Sequence, residues 1–228
     1  MSNYLILLIT LICYTLFFLL GFLVIGKTKP STTGPFSDSK QISSLNIRHI
    51  QGIILLGLPL LIFLNYWADQ LKWPKHLSNS QAAIFALLFF TVVTIAFKSA
   101  YTKQLVPNEF LINKKHVNTT PLYIYFVLRI LFLIVYEFFF RGILLIVCNS
   151  CFGIEWAIAI NILLYAGIHI LNDKEQVLAS IPFGFALCMF CITWQSLWPA
   201  IILHLTLSVT HESYTLYSTH YFTKKIEL

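Results

Sequence analysis

Long apolar runs alternate with short polar stretches along the chain, and most of the runs have the length of a bilayer crossing rather than of a soluble core helix. They cover residues 3–26, 50–67, 82–97, 121–148, 155–171, 176–193 and 197–217. Helices satisfy their own backbone hydrogen bonds in lipid, so the pattern predicts an all-α, polytopic transmembrane helical bundle of about seven spans. No lysine or arginine precedes the first run, and no small-residue cleavage site follows a short apolar core. It is therefore expected to be a retained span rather than a signal peptide. The run 121–148 holds about 28 residues, or about 42 Å of helix against about 30 Å of hydrocarbon, so it must tilt or project.

Polar connections at 27–49 and 101–120 are expected to be cytoplasmic loops. Intramembrane ionisable residues are almost confined to the second half of the chain. The organisation expected is about three N-terminal spans over 1–120, a helical core over 121–217 and a cytoplasmic tail over 218–228.

Composition agrees with this pattern: 58% of residues are hydrophobic and 11% charged, where a soluble domain carries about 25% charged residues. Charge adds an orientation. With an odd number of spans, Lys27, Lys29, Lys40, Arg48, Lys98, Lys103, Lys114, Lys115, Lys174, Lys224 and Lys225 fall on one face, and only Lys72 and Lys75 on the other. Positive charge accumulates on the cytoplasmic side, so the N-terminus is expected outside and the C-terminus in the cytoplasm; a short chain with no processing or retention signals is expected in a bacterial inner membrane. A lysine collar against anionic lipid accounts for the net charge of +6. The partner implied is membrane lipid, and no basic-aromatic module points to nucleic acid.

Ionisable side chains inside a span are costly enough to be functional candidates by default. The fourth run contains Glu137 and Arg141, the fifth Asn161, Tyr165 and His169 at four-residue intervals on one helix face, and the seventh His204, Ser208 and His211. Counting from the outer turns at about 1.5 Å per residue brings Glu137, His169 and His204 to comparable depth. Two readings stand side by side. Glu137 and Arg141 are an i, i+4 pair that neutralises itself, or the carboxylate and two imidazoles activate water and stabilise an oxyanion. Arg129, near the cytoplasmic start of its run, is expected to snorkel without a further role, and His211 to be interfacial.

Two CxxC pairs, Cys148/Cys151 and Cys188/Cys191, admit packing, a disulfide or a metal site; their apolar setting favours packing. Glu137, His169 and His204 also have the composition of a His-His-carboxylate zinc (Zn) set. The Arg141 charge beside Glu137 competes with a cation there, so chemistry without a cofactor is preferred.

Taken in order, Glu137-x-x-x-Arg141-Gly142, Tyr165-x-x-x-His169, Phe183-Gly184, and Ser196-Leu197-Trp198-Pro199-Ala200 followed by His204 resemble the CPBP family, also called the ABI family. Its members are CAAX prenyl proteases and bacteriocin-processing or immunity membrane proteins. The resemblance covers about 121–212. It implies a helical membrane fold and glutamate-dependent intramembrane peptidase chemistry, historically described as metalloprotease activity, on a membrane-associated protein or peptide.

By position, the resemblance assigns Glu137 to the second glutamate of a Glu-Glu-x-x-x-Arg motif and Arg141 to its arginine. His169 and His204 fall on the histidines of the later motifs. Tyr136 stands where the first glutamate, generally the water-activating base, is expected. Ser208 stands where an Asn or Asp follows the last histidine by four. Two functions are therefore carried forward. One is an endopeptidase in which Glu137 deprotonates a water held by His169, Arg141 orients the carboxylate, and His204 with Ser208 stabilises the oxyanion. The other is a non-catalytic immunity or peptide-binding member. A transporter is disfavoured, because no matched pair of broken helices occurs in two halves.

Overall fold

The computed structural model describes residues 2–25, 39–74, 78–104, 119–170 and 174–225. Among these residues there are helices and turns and no strand. The helices are α1 (Asn3–Ile25), α2 (Ser39–Ile62), the short α3 (Leu64–Trp67) with a 3-10 turn Ala68–Leu71, and α4 (Asn79–Gln104). They continue with α5 (Thr119–Glu137), a π-helical stretch Phe138–Leu144, α6 (Leu145–Phe152), α7 (Ile154–His169), α8 (Lys174–Trp194) and α9 (Trp198–Lys225).

Among the described residues five segments are long and apolar enough to cross a membrane: Asn3–Leu23, Ile42–Ile62, Asn79–Thr102, Leu122–Phe152 and Lys174–Trp194. The other two apolar runs take different forms. Helix α7 has 16 residues, about 24 Å of helix. Helix α9 is long, but its second half carries His211, Glu212 and a series of hydroxyl side chains.

Two loop expectations change. Residues 27–38 of the first connection lie outside the described residues, but 39–49 form the opening turns of α2. These turns have an apolar face to bury: Ile42 packs with Leu122 and Tyr125 of α5, and Leu45 packs against that cluster. In the second connection 105–118 lie outside the described residues, while α4 runs on to Gln104. Helix α9 likewise extends through most of the expected tail, and residues 226–228 lie outside the described residues.

The rod made of α5, the π stretch and α6 is the axis of the bundle, with 67% of its apolar window buried against 11% for α4. Helix α2 lies along α5, α1 along α2 and α6, α7 against α6 and α8, and α4 along α9. One apolar core thus draws Ile6 and Phe17 from α1, Leu56 from α2, and Phe139, Ile143 and Val147 from the rod.

Helix α2 packs tightly against the rod at Gly52. A Cβ there would meet Phe132 Cε2 at 2.3 Å, Phe132 Cδ2 at 2.6 Å and Phe17 Cε2 at 3.0 Å. Overpacking of this kind costs about 1–3 kcal/mol, so Gly52→Ala is expected to lower the midpoint of SDS-induced unfolding in mixed micelles. An unchanged midpoint would mean that the two helices separate freely at this contact. Between α6 and α7 the chain reverses at Gly153, whose φ of 86° lies in the region that only glycine occupies without cost.

Candidate active site in the helix bundle

The site begins with an irregularity in the rod. After Glu137 the helix widens into a π stretch, in which each backbone bond reaches one residue further than in an α-helix. The Phe140 carbonyl accepts the N–H of Leu145 in that longer pattern. It also accepts Asn161 Nδ2 of α7 at 2.6 Å. Asn161 Oδ1 in turn accepts Cys188 Sγ of α8 at 3.3 Å. Both neighbouring helices thus hold the π stretch through one fully buried asparagine.

Glu137 and Arg141 flank this irregularity with side chains that are completely buried, Nη1 lying 3.2 Å from Oε2 and 3.5 Å from Oε1. The guanidinium carbon stands 4.3 Å from the centroid of the Tyr165 ring. Helix α8 comes close to this stack at Gly184, where a Cβ would sit 3.1 Å from Tyr165 Cδ1 and 3.6 Å from Arg141 Nη2. The Phe183-Gly184 pair therefore has a steric reason.

His204 of α9 reaches across to the same carboxylate, with Nδ1 2.5 Å from Glu137 Oε1. Its ring is walled by Tyr136, Tyr165 and Phe183, with centroids at 5.7, 6.0 and 5.8 Å. His169, at the end of α7, joins the cluster through the Tyr165 ring at 5.4 Å. It also shares a hydrogen bond with the Gln176 side chain. Glu137, Arg141, His169 and His204 are thus gathered about Tyr165.

Ser208 belongs to a second polar cluster. Its hydroxyl donates to Glu212 Oε1 at 2.9 Å and accepts Arg129 Nε at 3.0 Å. Arg129 Nε also reaches Glu212 Oε1 at 2.9 Å, and the Tyr125 hydroxyl donates to Glu212 Oε2 at 3.0 Å. Arg129 consequently does not snorkel: a part-buried carboxylate needs a cationic partner, and Arg129 supplies it. Glu212 and Tyr125 were given no role by the sequence reading. Their signal is the spacing of Tyr125 to Arg129 and of Ser208 to Glu212, each i, i+4 on a helix face. His211 is half-buried beside this cluster.

Four buried side-chain atoms without a hydrogen-bond partner lie at the Glu137 site, Tyr136 Oη, Glu137 Oε2, and Arg141 Nε and Nη2, and three more lie on α2 among the described residues, on Asn46, His49 and Gln51. Among the described residues no three His, Cys, Asp or Glu side chains gather at metal-holding distances, and Glu137 is shared between a guanidinium and His204. All five cysteines are free; Cys148 and Cys188 pack in the main apolar core and Cys191 in a second one beside α9. An apolar pocket of about 120 Å³ between Trp73, Phe85, Trp194 and Trp198 shares no residue with the polar site.

Residues 117–210 match the family described as Type II CAAX prenyl endopeptidase Rce1-like. Neither a curated protein nor a solved structure matches the chain. The matched segment runs from the start of the rod into α9 and contains Tyr136, Glu137, Arg141, His169, His204 and Ser208. Together with five apolar helices of spanning length, the match makes this an integral membrane protein. Over residues 117–210 the chain is similar to this family, and the match supports a CPBP/CAAX protease assignment.

Proposed function

We propose that this protein is an intramembrane endopeptidase that hydrolyses a peptide bond in a membrane-associated protein or peptide, with water activated at the Glu137–His204 pair. The observation that carries this reading is the 2.5 Å contact between a buried carboxylate of the rod and an imidazole of α9, brought together from residues 67 positions apart. A structural ion pair needs only Glu137 and Arg141. A second helix that delivers a histidine to the same oxygen, with a third delivering His169 nearby, is the assembly that general acid–base hydrolysis requires. No cofactor enters the proposed reaction, and no nucleic acid is a partner. The lysine distribution supports an outside N-terminus and a cytoplasmic C-terminus.

The test compares newly formed peptide termini in membranes of cells carrying wild type, Glu137→Ala or His169→Ala protein. Termini present with wild type and absent from both variants are expected. Identical termini in all three would move the assignment to a non-catalytic member of the family. One observation favours that second reading: the Tyr136 ring fills the space beside His204 in the position where the resemblance leads one to expect a carboxylate. A Tyr136→Glu protein that generates termini absent from wild type would establish it.

A further inference from the structure

Resting on the peptidase reading, we infer that His204 is the base that takes the proton of the attacking water, that Glu137 holds and charges it as a dyad, and that the Tyr136 hydroxyl donates to the tetrahedral oxyanion. The argument starts from access. The Glu137 side chain has no exposed surface, whereas His204 keeps 9% of its own. Oε1 is taken by His204 Nδ1 at 2.5 Å, and Oε2, although it accepts no hydrogen bond, faces the Arg141 guanidinium at 3.2 Å. A carboxylate so enclosed orients a neighbour better than it receives a proton from water.

The contact also fixes the chemistry of the ring. With Nδ1–H donated to Glu137, the lone pair of His204 lies on Nε2, the nitrogen turned away from the carboxylate. A buried carboxylate that holds an imidazole in one tautomer and stabilises the imidazolium formed during reaction is the working arrangement of hydrolytic dyads and triads.

The donor assignment follows from what is occupied and what is not. Ser208 gives its hydroxyl hydrogen to Glu212, so it is not directed at an oxyanion beside His204. The Tyr136 hydroxyl is buried without a hydrogen-bond partner, on a ring 5.7 Å from His204 and 98% buried by residue. A buried unpaired hydroxyl is costly to keep, and an oxyanion that forms only during reaction is a partner for it.

The steps balance without a further reactant. The water oxygen bonds to the carbonyl carbon as its proton passes to His204 Nε2, and the carbonyl π pair moves onto oxygen, which accepts the Tyr136 O–H. The pair returns as the C–N bond breaks, and the imidazolium gives its proton to the departing amine. Water has been divided between a carboxyl and an amine, and His204 and Tyr136 are as they began.

The experiment uses the purified full chain in detergent micelles. The probe is a fluorogenic peptide carrying the sequence around a wild-type-dependent terminus. His204→Gly is expected to be at least about 1,000-fold slower and to be partly restored by added imidazole in proportion to its concentration. His204→Gln, which keeps an amide donor, is expected to be as slow as His204→Gly. Tyr136→Phe is expected to lower kcat by about 100- to 1,000-fold at constant KM, with an unfolding midpoint no lower than wild type.

Activity of His204→Gln within about tenfold of wild type would reduce His204 to a hydrogen-bond donor and overturn the dyad. So would a folded His204→Gly that imidazole does not restore. A wild-type kcat in Tyr136→Phe would overturn the oxyanion assignment. In both cases the peptidase reading stands, whereas absence of any wild-type-dependent terminus removes that reading and the inference with it.

Discussion

Glu137→Ala is expected to destabilise the folded protein by about 3–5 kcal/mol, the cost of leaving one partner of a buried ion pair unaccompanied. The size follows from the neighbourhood rather than from the pair distance alone. Arg141 has no exposed side-chain surface, and two of its nitrogens already lack hydrogen-bond partners. The face of the Tyr165 ring is a further close electrostatic contact, and cation–π attraction is worth about 2 kcal/mol when desolvated. Removing the carboxylate also strips His204 of α9 of its partner. The double variant Glu137→Ala, Arg141→Leu removes both charges and is expected to recover most of the loss, because a well-packed apolar pair often matches a buried ionic one. Unfolding by SDS in mixed micelles reads both values. A single variant that costs less than about 1 kcal/mol, the range of solvent-exposed pairs, would show that water reaches Arg141 and that the pair is not sealed.

Much of this arrangement is legible in the sequence, for definable reasons. Helical periodicity and run length gave the bundle, and the i, i+4 spacings placed Glu137 with Arg141 and Tyr165 with His169 on common faces. Depth counted from the turns brought His204 to the level of Glu137, where the two side chains meet. Two features were not legible. The span count rested on hydrophobic runs, which do not separate the 16-residue α7 or the polar second half of α9 from the five longer apolar segments. The pairing of Arg129 with Glu212 joins positions on different helices. A single helix face does not announce its partner, so a lone arginine near a span end reads as a snorkelling one.

The π stretch is the deeper omission, because nothing in Phe138–Leu144 marks it. Apolar residues suit α- and π-helical turns alike, and the preference is decided by a residue 21 positions away, Asn161, whose amide occupies the Phe140 carbonyl. Asn161→Leu keeps the volume and removes that bond. It is expected to lower stability by about 1–3 kcal/mol, since a buried acceptor loses a partner. Its larger consequence is geometric. One residue is worth about 100° of helix rotation, so a rod that relaxes from π to α turns the segment after the irregularity relative to Glu137. Arg141 stays on the same helix face as Glu137 in either form, but its guanidinium is turned relative to the carboxylate and to the Tyr165 ring on which it stacks. A misplacement on the scale of 1 Å is enough for about a 100-fold loss of rate, and kcat is expected to fall by at least that factor. A double-mutant cycle between Asn161→Leu and Glu137→Ala tests the coupling without any substrate. If Asn161 holds the turn that brings Arg141 to Glu137, the two losses overlap and the cycle returns a coupling of about 0.5–3 kcal/mol. Additive losses would mean that the π stretch is held by the packing of Phe139 and Ile143 alone, with Asn161 contributing no more than its own hydrogen bond.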